Sequence, residues 1–199
     1  MPLGQTYFDS LFSGNDDPWG FKTRWYEMRK RAITLASLPQ PRYQNAFEPG
    51  CANGELAASL AERCDRLLCT DGAARAVELA SKRLLDFSHV TVAQACVPQD
   101  WPDGQFDLIV VSELGYFLSC GDLDALSAKA QASLAPSGTL LACHWRRSIK
   151  GCDMTGDEVH ARLAKTLALP HAVQWQDADF RLDVWFGDGH SVGDLQGLS

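Results

Sequence analysis

Between residues 47 and 144 the sequence alternates strand-length apolar runs with helical segments, and this alternation limits the possible folds more than any other feature. Helical patterns are predicted at 55–63, 73–85 and 122–134, and strands at 45–48, 66–70, 89–93, 106–111 and 139–144. Strands separated by helices run parallel, because a parallel crossover needs about a dozen residues or more. The pattern therefore predicts an α/β fold with a doubly wound, mostly parallel sheet.

The flanking segments complete this architecture. After a predicted helix at 157–167, strands at 172–176 and 180–186 follow each other too closely for a crossover, so we expect a C-terminal antiparallel hairpin and seven strands in all. The N-terminal part is predicted to be a helical lid, in which an amphipathic helix at 21–38 buries Trp25, Met28, Ala32, Leu35 and Ala36. We predict one domain over 1–199, divided into a helical cap (1–40), a core (45–145), a substrate side (146–186) and a loose tail (187–199).

Composition excludes several classes of partner. A net charge of −7 argues against nucleic acid or an anionic membrane as the main partner, although local basic clusters occur at 24–31 and 146–150. Seven cysteines without a CxxC pair fit buried reduced thiols better than disulfides or zinc. With no signal peptide and no apolar run of about 20 residues, the protein is expected to be cytoplasmic. Its oligomeric state is left open.

The segment 47–54, FEPGCANG, lies between the first strand and the following helix. Glycines at such a turn let the backbone approach a ligand closely, although tight strand-to-helix turns need glycine in any case. Gly50 and Gly54 do not make the dinucleotide pattern GxGxxG, because Ala57 stands at the third position. The turn is therefore a candidate nucleotide site of a different kind.

The second strand ends at Asp71, 17 residues after Gly54. A carboxylate at this place can accept hydrogen bonds from two ribose hydroxyls. Asp71 could instead cap the helix that follows, or form a simple turn with Gly72.

Glu48 followed by x-Gly-x-x-x-Gly resembles the first motif of the class I S-adenosylmethionine (SAM)-dependent methyltransferases, with Ala52 in place of the central glycine. Further similar segments follow in order at 94–98, 106–113 and 134–140, the last resembling L-x-P-G-G-x-L. Within this class, segments 17–19 and 112–118, the turn around Cys51 and the pair Arg75-Ala76 resemble the nodulation protein S family. This resemblance extends from about residue 17 to about residue 167.

The resemblance implies a Rossmann-like fold, SAM as the cofactor and a small-molecule methyl acceptor. Members of that family N-methylate the free amine of a deacetylated aminosugar. The candidate cofactor residues after the strands are Glu48, Gly50, Cys51, Ala52, Gly54, Asp71, Gly72, Ala95, Cys96, Val97 and Ser112. In the cap, Trp19, Tyr26 and Lys30 could close over the cofactor, with a cation there pairing with the methionine carboxylate. Alternatively, Trp25 and Met28 pack on the sheet and the basic residues are solvated. No metal-ligand cluster is evident in the sequence.

Three residues near the ends of strands four and five are candidates for the acceptor side. Glu113 could orient an ammonium group or take its proton, Tyr116 could face the same pocket, and His144 has a suitable pKa range for a base. The alternatives are a helix-start charge for Glu113, a core aromatic for Tyr116 and a structural histidine for His144. His160 is expected to line the pocket or lie on the surface.

Three other functions stay open from the sequence. The chain could methylate a hydroxyl, could be a dinucleotide-dependent oxidoreductase on a similar sheet, or could bind the cofactor without turnover. The missing third glycine and the antiparallel hairpin argue against the oxidoreductase.

Overall fold

A computed structural model describes residues 5–189 and 191–198. The strands in this part are β1 (Ala46–Pro49), β2 (Leu67–Asp71), β3 (Val90–Gln94), β4 (Phe106–Ser112), β5 (Leu134–Trp145), β6 (His171–Gln176) and β7 (Phe180–Phe186). They form one sheet in the order β3-β2-β1-β4-β5-β7-β6. Pairs from β3 to β5 are parallel, and β7 is antiparallel to both neighbours. The predicted fold class is confirmed.

The helices are α1 (Gln5–Gly14), α2 (Trp25–Ala36), α3 (Glu55–Ala61), α4 (Ala74–Arg83), α5 (Cys120–Ser133), α6 (Gly156–Thr166) and α7 (Val192–Leu195), with a 3-10 turn at Gly115–Phe117. The central strands are buried on both faces, so alternate residues belong to two cores. In β4, Leu108 and Val110 pack into the core that contains α3 residues, while Ile109 and Val111 pack into the one that contains α5 and α6 residues. This two-sided burial explains why β4 is a continuous apolar run.

The order of the strands reverses at β1, which has β2 on one side and β4 on the other. Phe47 pairs with Leu68 of β2 and with Ile109 of β4. In open α/β sheets, ligands bind at the carboxyl ends of the strands at such a reversal. The glycine turn that follows β1 is therefore at the expected place for a site.

Strand β5 begins five residues earlier than predicted, and it passes through Pro136. Leu134 pairs with Phe106 of β4, and the register shifts before Thr139 pairs with Leu108. Proline in a strand is found at such irregularities because it cannot donate to the ladder. The backbone N–H of Gly187 also donates to the carbonyl oxygen of Gly138 at 2.8 Å. The segment 135–138, between the predicted helix and the predicted strand, is thus held between two neighbouring strands.

The prediction of which face of α2 is buried is wrong. Trp25 is 73% exposed and Met28 44% exposed, whereas Glu27, Lys30 and Thr34 are buried. The helix turns a charged face inward because Lys30 forms ion pairs there, which reduces the cost of burying its charge. A buried helix face made of charged residues cannot be identified from hydrophobic periodicity.

Helices lie at both ends of the described part of the chain. The N-terminal cap contains α1 and α2, and residues 1–4 lie outside the described residues. The tail includes α7, whose first turn is capped by the Ser191 side chain, while His190 and Ser199 lie outside the described residues. No described helix is long and apolar enough to cross a membrane.

Candidate active site

The turn after β1 is built from residues with a left-handed backbone. Gly50, Ala52 and Gly54 have φ values of +75°, +50° and +82°. Glycine adopts such angles freely, whereas for an L-residue such as Ala52 this backbone conformation costs about 1 kcal/mol or more. The Ala52 N–H donates to Asp71 Oδ2 at 2.9 Å, and this bond helps to hold the strained residue. Ala52 therefore keeps the backbone shape of the glycine that it replaces.

Asp71 stands at the end of β2 and fixes two backbone segments. Its Oδ2 accepts from Ala52, and its Oδ1 accepts from the N–H of Ala73 at 2.9 Å. Burial raises the pKa of Asp71, and these two hydrogen bonds oppose that effect. The bond to Ala73 forms a turn after β2, so the simple-turn alternative is observed, whereas α4 has its N-cap at Ala73 and no side-chain cap. Asp71 also lines the cleft described next.

A cleft of about 820 Å³ opens beside this turn. It brings together most of the predicted residues: Trp19, Tyr26, Lys30, Gly50, Ala52, Asp71, Gly72, Ala95, Cys96, Val97, Glu113 and Tyr116. These residues come from the N-terminal cap and from the ends of β1 to β4. The cleft therefore joins the predicted cofactor half to the predicted acceptor half.

A smaller chamber of about 50 Å³ lies behind the glycine turn, and Glu48, Cys51 and Ser112 line it instead of the cleft. Gly50 and Glu113 border both spaces. Burial raises the pKa of Glu48 to about 8, although a hydrogen bond from Cys69 opposes this. Direct cofactor contact by these three residues stays a prediction.

Two predicted site residues do not line either space. A Cβ atom at Gly54 would lie 3.1 Å from Ala80 Cα, so this glycine serves the close packing of α3 on α4. His144 has no exposed surface, and both of its ring nitrogens are within hydrogen-bond distance of protein atoms. The hypothesis of His144 as a base is corrected, because it has no access to an acceptor. His160 is also fully buried and lines neither space, so both positions expected for it are wrong.

The N-terminal cap closes one side of the cleft with aromatic rings. Phe8 of α1 packs edge-on against Phe117 across the cleft, with ring centroids 4.9 Å apart. Phe12 packs against Trp19 in the same way at 5.5 Å. Because Phe12 belongs to a cluster with α4 residues, α1 is fixed to the cofactor half. This arrangement supports the lid hypothesis for the cap.

Segment 17–19 and Arg75, which were linked only by the family resemblance, lie in one network. Asn53 Nδ2 donates to Asp17 Oδ1 at 3.0 Å, and Arg75 forms an ion pair with Asp16 at 2.8 Å. The glycine turn, α4 and the cap are therefore held together by polar contacts.

Charged groups gather at the acceptor half and include Lys30, which was predicted on the cofactor side and instead pairs with two carboxylates of the protein. Lys30 Nζ lies 2.6 Å from Glu113 Oε1 and 2.9 Å from Glu27 Oε2. The other oxygen of Glu113 accepts from the Tyr116 hydroxyl and from the N–H of Trp145, the latter at 3.3 Å. Glu113 has a left-handed backbone with φ +54°, a strained conformation of the kind that clusters at functional sites. Its carboxylate is thus held rigidly on the cleft wall.

Burial shifts the pKa values of Lys30 and Tyr116, which both contact Glu113. Burial alone would lower the pKa of Lys30, but the adjacent Glu113 and Glu27 carboxylates raise it above its ordinary value. Burial, and then the charge of Glu113, raise the pKa of Tyr116 well above its usual range. Lys30 therefore stays charged and Tyr116 keeps its proton at neutral pH.

Several cleft residues were not assigned to the site from the sequence. They are Tyr7, Phe8, Phe12, Phe21, Arg24, Glu27, Ala73, Leu114, Phe117, Leu118, Trp145, Ser148, Ile149 and Asp179. For Tyr7, Phe8 and Phe12, the helical spacing of aromatic residues near the N-terminus was the one signal in the sequence. The others depend on tertiary packing.

Both basic clusters contain arginines that pair with acidic residues. Arg29 pairs with Asp177 at 2.7 Å, and Arg146 pairs with Asp157 at 2.9 Å. Arg147 pairs with Asp179 at 2.9 Å. No group of three or more His, Cys, Asp or Glu among the described residues is arranged to hold a metal.

The fold is similar to that of solved methyltransferase structures. A crystal structure of the N-methyltransferase NodS from Bradyrhizobium japonicum WM9, in complex with S-adenosylhomocysteine (SAH), superposes with a TM-score of 0.82 at 28% identity, covering 92% of this chain and 97% of that one. A crystal structure from Pseudomonas syringae, described as a candidate methyltransferase, is 53% identical with a TM-score of 0.74, covering 82% of this chain and 99% of that one. The architecture is that of the class I methyltransferases.

The family model for nodulation protein S (NodS) matches residues 12–168. The nodulation protein S of Sinorhizobium fredii is 35% identical over 130 residues, which cover 63% of this chain. The chain therefore belongs to the nodulation protein S family, as its motifs suggested. The match spans 59% of the length of the S. fredii relative.

Proposed function

We propose that the chain is a SAM-dependent methyltransferase that N-methylates a primary amine on a small molecule, such as a deacetylated aminosugar. Family membership and the class I fold support the reaction type. The observation that carries the proposal is the cleft, which joins a glycine turn and Asp71 to the carboxylate of Glu113.

The cofactor half fits SAM in shape and chemistry. A Cβ atom at Gly50 would approach Leu114 to 3.3 Å, so the turn keeps this wall free for the methionine part. Asp71 offers a carboxylate to the ribose hydroxyls, and the wall from Ala95 to Val97 suits the adenine ring. When bound, SAM supplies a methyl group on a positively charged sulfur.

The acceptor half favours a cationic nucleophile. Glu27, Lys30 and Glu113 together carry a net charge of −1 when ionised, and this charge attracts an ammonium group. The fixed Glu113 carboxylate orients the nitrogen, which is the main contribution that a protein makes to an in-line transfer. Lys30 stays protonated and Tyr116 keeps its proton, so neither accepts the proton of the amine. That proton leaves through Glu113 or through water in the cleft.

Tyr26 lines the cleft, but its hydroxyl has no exposed surface and no hydrogen-bond partner among the described residues. Its ring packs edge-on against Trp145 at 5.2 Å between centroids. A buried hydroxyl without a partner is costly, and a ligand would remove that cost only if Tyr26 turned its hydroxyl into the cleft.

The proposed function is tested by methyl-transfer assays with SAM and three acceptor classes: aminosugars, polyamines and phenols. We expect turnover with amines, and with the aminosugars in particular. Turnover confined to phenols would instead identify an O-methyltransferase. Thermal shifts with SAH and with NAD check the cofactor, because only a true ligand stabilises the fold by mass action. SAH binding without turnover of any acceptor would indicate a non-catalytic protein.

Replacing Asp71 with alanine is expected to weaken SAH binding by about one to two orders of magnitude, since two charge-assisted hydrogen bonds are lost. The variant also loses the bonds to Ala52 and Ala73, so its stability should fall. Calorimetry gives the dissociation constant.

Asp107→Ala is the matched control for this prediction. Asp107 also accepts from two backbone N–H groups, those of Gln44 and Asn45, and it does not line the cleft. Its loss should lower stability without changing SAH affinity. Equal affinities in both variants and the wild type would remove Asp71 from the site.

A further inference from the structure

A buried chain of hydrogen bonds runs from β7 to the loop beside Glu113. The Gly115 N–H donates to His144 Nε2 at 2.9 Å. His144 Nδ1 lies 3.1 Å from His160 Nε2, and His160 Nδ1 lies 2.5 Å from Asp183 Oδ2. The side chains of His144, His160 and Asp183 have no exposed surface. None of the three lines the cleft or the small chamber, so the proposed reaction leaves this chain without a role.

The carboxylate of Asp183 fixes the direction of every bond in this chain. As an ionised group it only accepts, so His160 carries its proton on Nδ1. The Nε2 atom of a neutral His160 must then accept from His144 Nδ1–H, which leaves His144 Nε2 as an acceptor. The Gly115 N–H is the donor that this acceptor requires.

The protonation states match this assignment. Burial would raise the pKa of Asp183, but hydrogen bonds from His160 and Arg181 lower it to about 2. His171 also lies 2.8 Å from its other oxygen. Burial lowers the pKa of His160 and, more strongly, that of His144, so both rings are neutral at neutral pH.

The hydrogen-bond chain ends at the Gly115 loop, whose movement is also restricted by its other neighbours. A Cβ atom at Gly115 would lie 2.5 Å from Val159 Cγ1 and 3.0 Å from His144 Nε2, so the backbone is pressed against both. Glu113 and Tyr116, on either side of this segment, meet through the hydroxyl and the carboxylate. The N–H of Glu113 is held by the carbonyl oxygen of Cys143, the residue before His144.

We propose that His144 and His160, set by Asp183, are positioning residues that hold Gly115 and so aim Glu113 and Tyr116 at the acceptor. The inference rests on the proposed function for its kinetic consequence. The chain is not a path for the acceptor's proton, because it ends on a backbone amide, which does not release its proton at physiological pH. It sets the geometry of the acceptor half and leaves the cofactor half unchanged.

Acidification is expected to break this arrangement. A protonated His160 would donate to both Asp183 and His144 Nδ1, and His144 would then place Nε2–H against the N–H of Gly115. The charged groups that face the two rings are Lys30 and Asp183 for His144, and Asp183, Arg181 and Asp157 for His160. Release of the loop should therefore follow the titration of the coupled pair, below the ordinary histidine range.

Nitrogen-15 NMR of the wild-type protein tests the assignment directly. Long-range proton–nitrogen correlations should show both rings as Nδ1–H tautomers at neutral pH, with slow hydrogen exchange at the Gly115 amide. An Nε2–H tautomer at His144 would overturn the proposal, whether or not the protein methylates amines. This measurement thus separates failure of the chain from failure of the proposed function.

Variants test the consequence. His144→Leu removes the acceptor and should speed Gly115 exchange, while lowering kcat with an amine by about 10-fold or more and changing the dissociation constant of SAH by less than about 3-fold. His144→Gln keeps an acceptor oxygen and should recover most of kcat. Asp183→Asn keeps the size but removes the fixed acceptor, so it should shift the tautomers and resemble His144→Leu.

Thr139→Val is the matched control, since Thr139 is a buried polar residue of β5 that meets Tyr43 far from the loop. It should leave kcat and Gly115 exchange unchanged. Unchanged kcat and unchanged exchange in a folded His144→Leu variant would show that His144 has no positioning role. If His144→Leu fails to fold, the His144→Gln and Asp183→Asn variants supply the same comparison.

Discussion

Gly50→Val is expected to abolish measurable binding of SAH while the protein still folds. Gly50 has φ +75°, and a β-branched residue held at such an angle costs about 1–3 kcal/mol. Its Cβ atom would meet Leu114 Cδ1 at 3.3 Å, and the two further methyl groups would enter the wall shared by the cleft and the small chamber. A loss of affinity above about 10²-fold corresponds to about 2.8 kcal/mol, which steric exclusion and turn distortion readily exceed. Calorimetry with SAH and circular dichroism give the two readouts.

Gly104→Val separates strain from exclusion. Gly104 also has positive φ, at +107°, and a Cβ atom there would meet nothing within 4 Å. This variant should lose stability through strain and keep its affinity for SAH. A folded Gly50→Val variant with intact affinity would show that the glycine turn is purely structural.

The position of the proposed cofactor half of the cleft could be predicted from the sequence, because the features that define it are local. The turn at Gly50 and the carboxylate of Asp71 follow strands whose apolar runs mark where each strand ends. In a parallel sheet, the ends of neighbouring strands share one edge, so positions in the chain translate directly into positions in the site. Ala52 fits the same rule, since it takes the left-handed backbone that the turn requires.

The acceptor half could be predicted only in part. Glu113 and Tyr116 line the cleft as expected, but their link to Lys30 joins residues 83 positions apart, which no local pattern encodes. His144 stands at the end of β5, yet the alternation of side chains along the strand turns it toward α6 and not toward the cleft. The role of such a residue depends on which face of the sheet is covered, and this is set by tertiary packing.

The buried face of α2 also could not be predicted from the sequence pattern. A periodic pattern predicts burial for apolar residues, and Trp25 instead lies in solvent. Glu27 and Lys30 lie on the side of the helix that faces the cleft, and their ion pair reduces the cost of burying both charges. Departures from hydrophobic patterning of this kind mark a functional surface.

Glu113→Gln is expected to lower the rate of methyl transfer to an amine by about 10²-fold or more at saturating cofactor, as for the loss of a general base or an orienting carboxylate. The amide keeps the size of the side chain but removes the charge that attracts and aims the ammonium. SAH affinity should stay nearly constant, because Asp71 and the glycine turn lie elsewhere on the cleft. The loss should be larger for amine than for hydroxyl acceptors. Single-turnover rates with saturating SAM measure the effect.

The ion pair with Lys30 makes a second interpretation possible, and a double variant separates the two. In Glu113→Gln, Lys30 keeps only Glu27 as a charged partner, so the buried ammonium itself could repel the amine. If Glu113 served only to neutralise Lys30, combining Glu113→Gln with Lys30→Gln would restore turnover toward that of Lys30→Gln alone. If Glu113 aims the acceptor, the double variant stays slow, because no carboxylate stands at that point of the wall.

Near-wild-type turnover in Glu113→Gln itself would exclude the residue from catalysis and leave Tyr116 as the remaining candidate on the acceptor half. A simultaneous loss of SAH affinity would instead place Glu113 on the cofactor side.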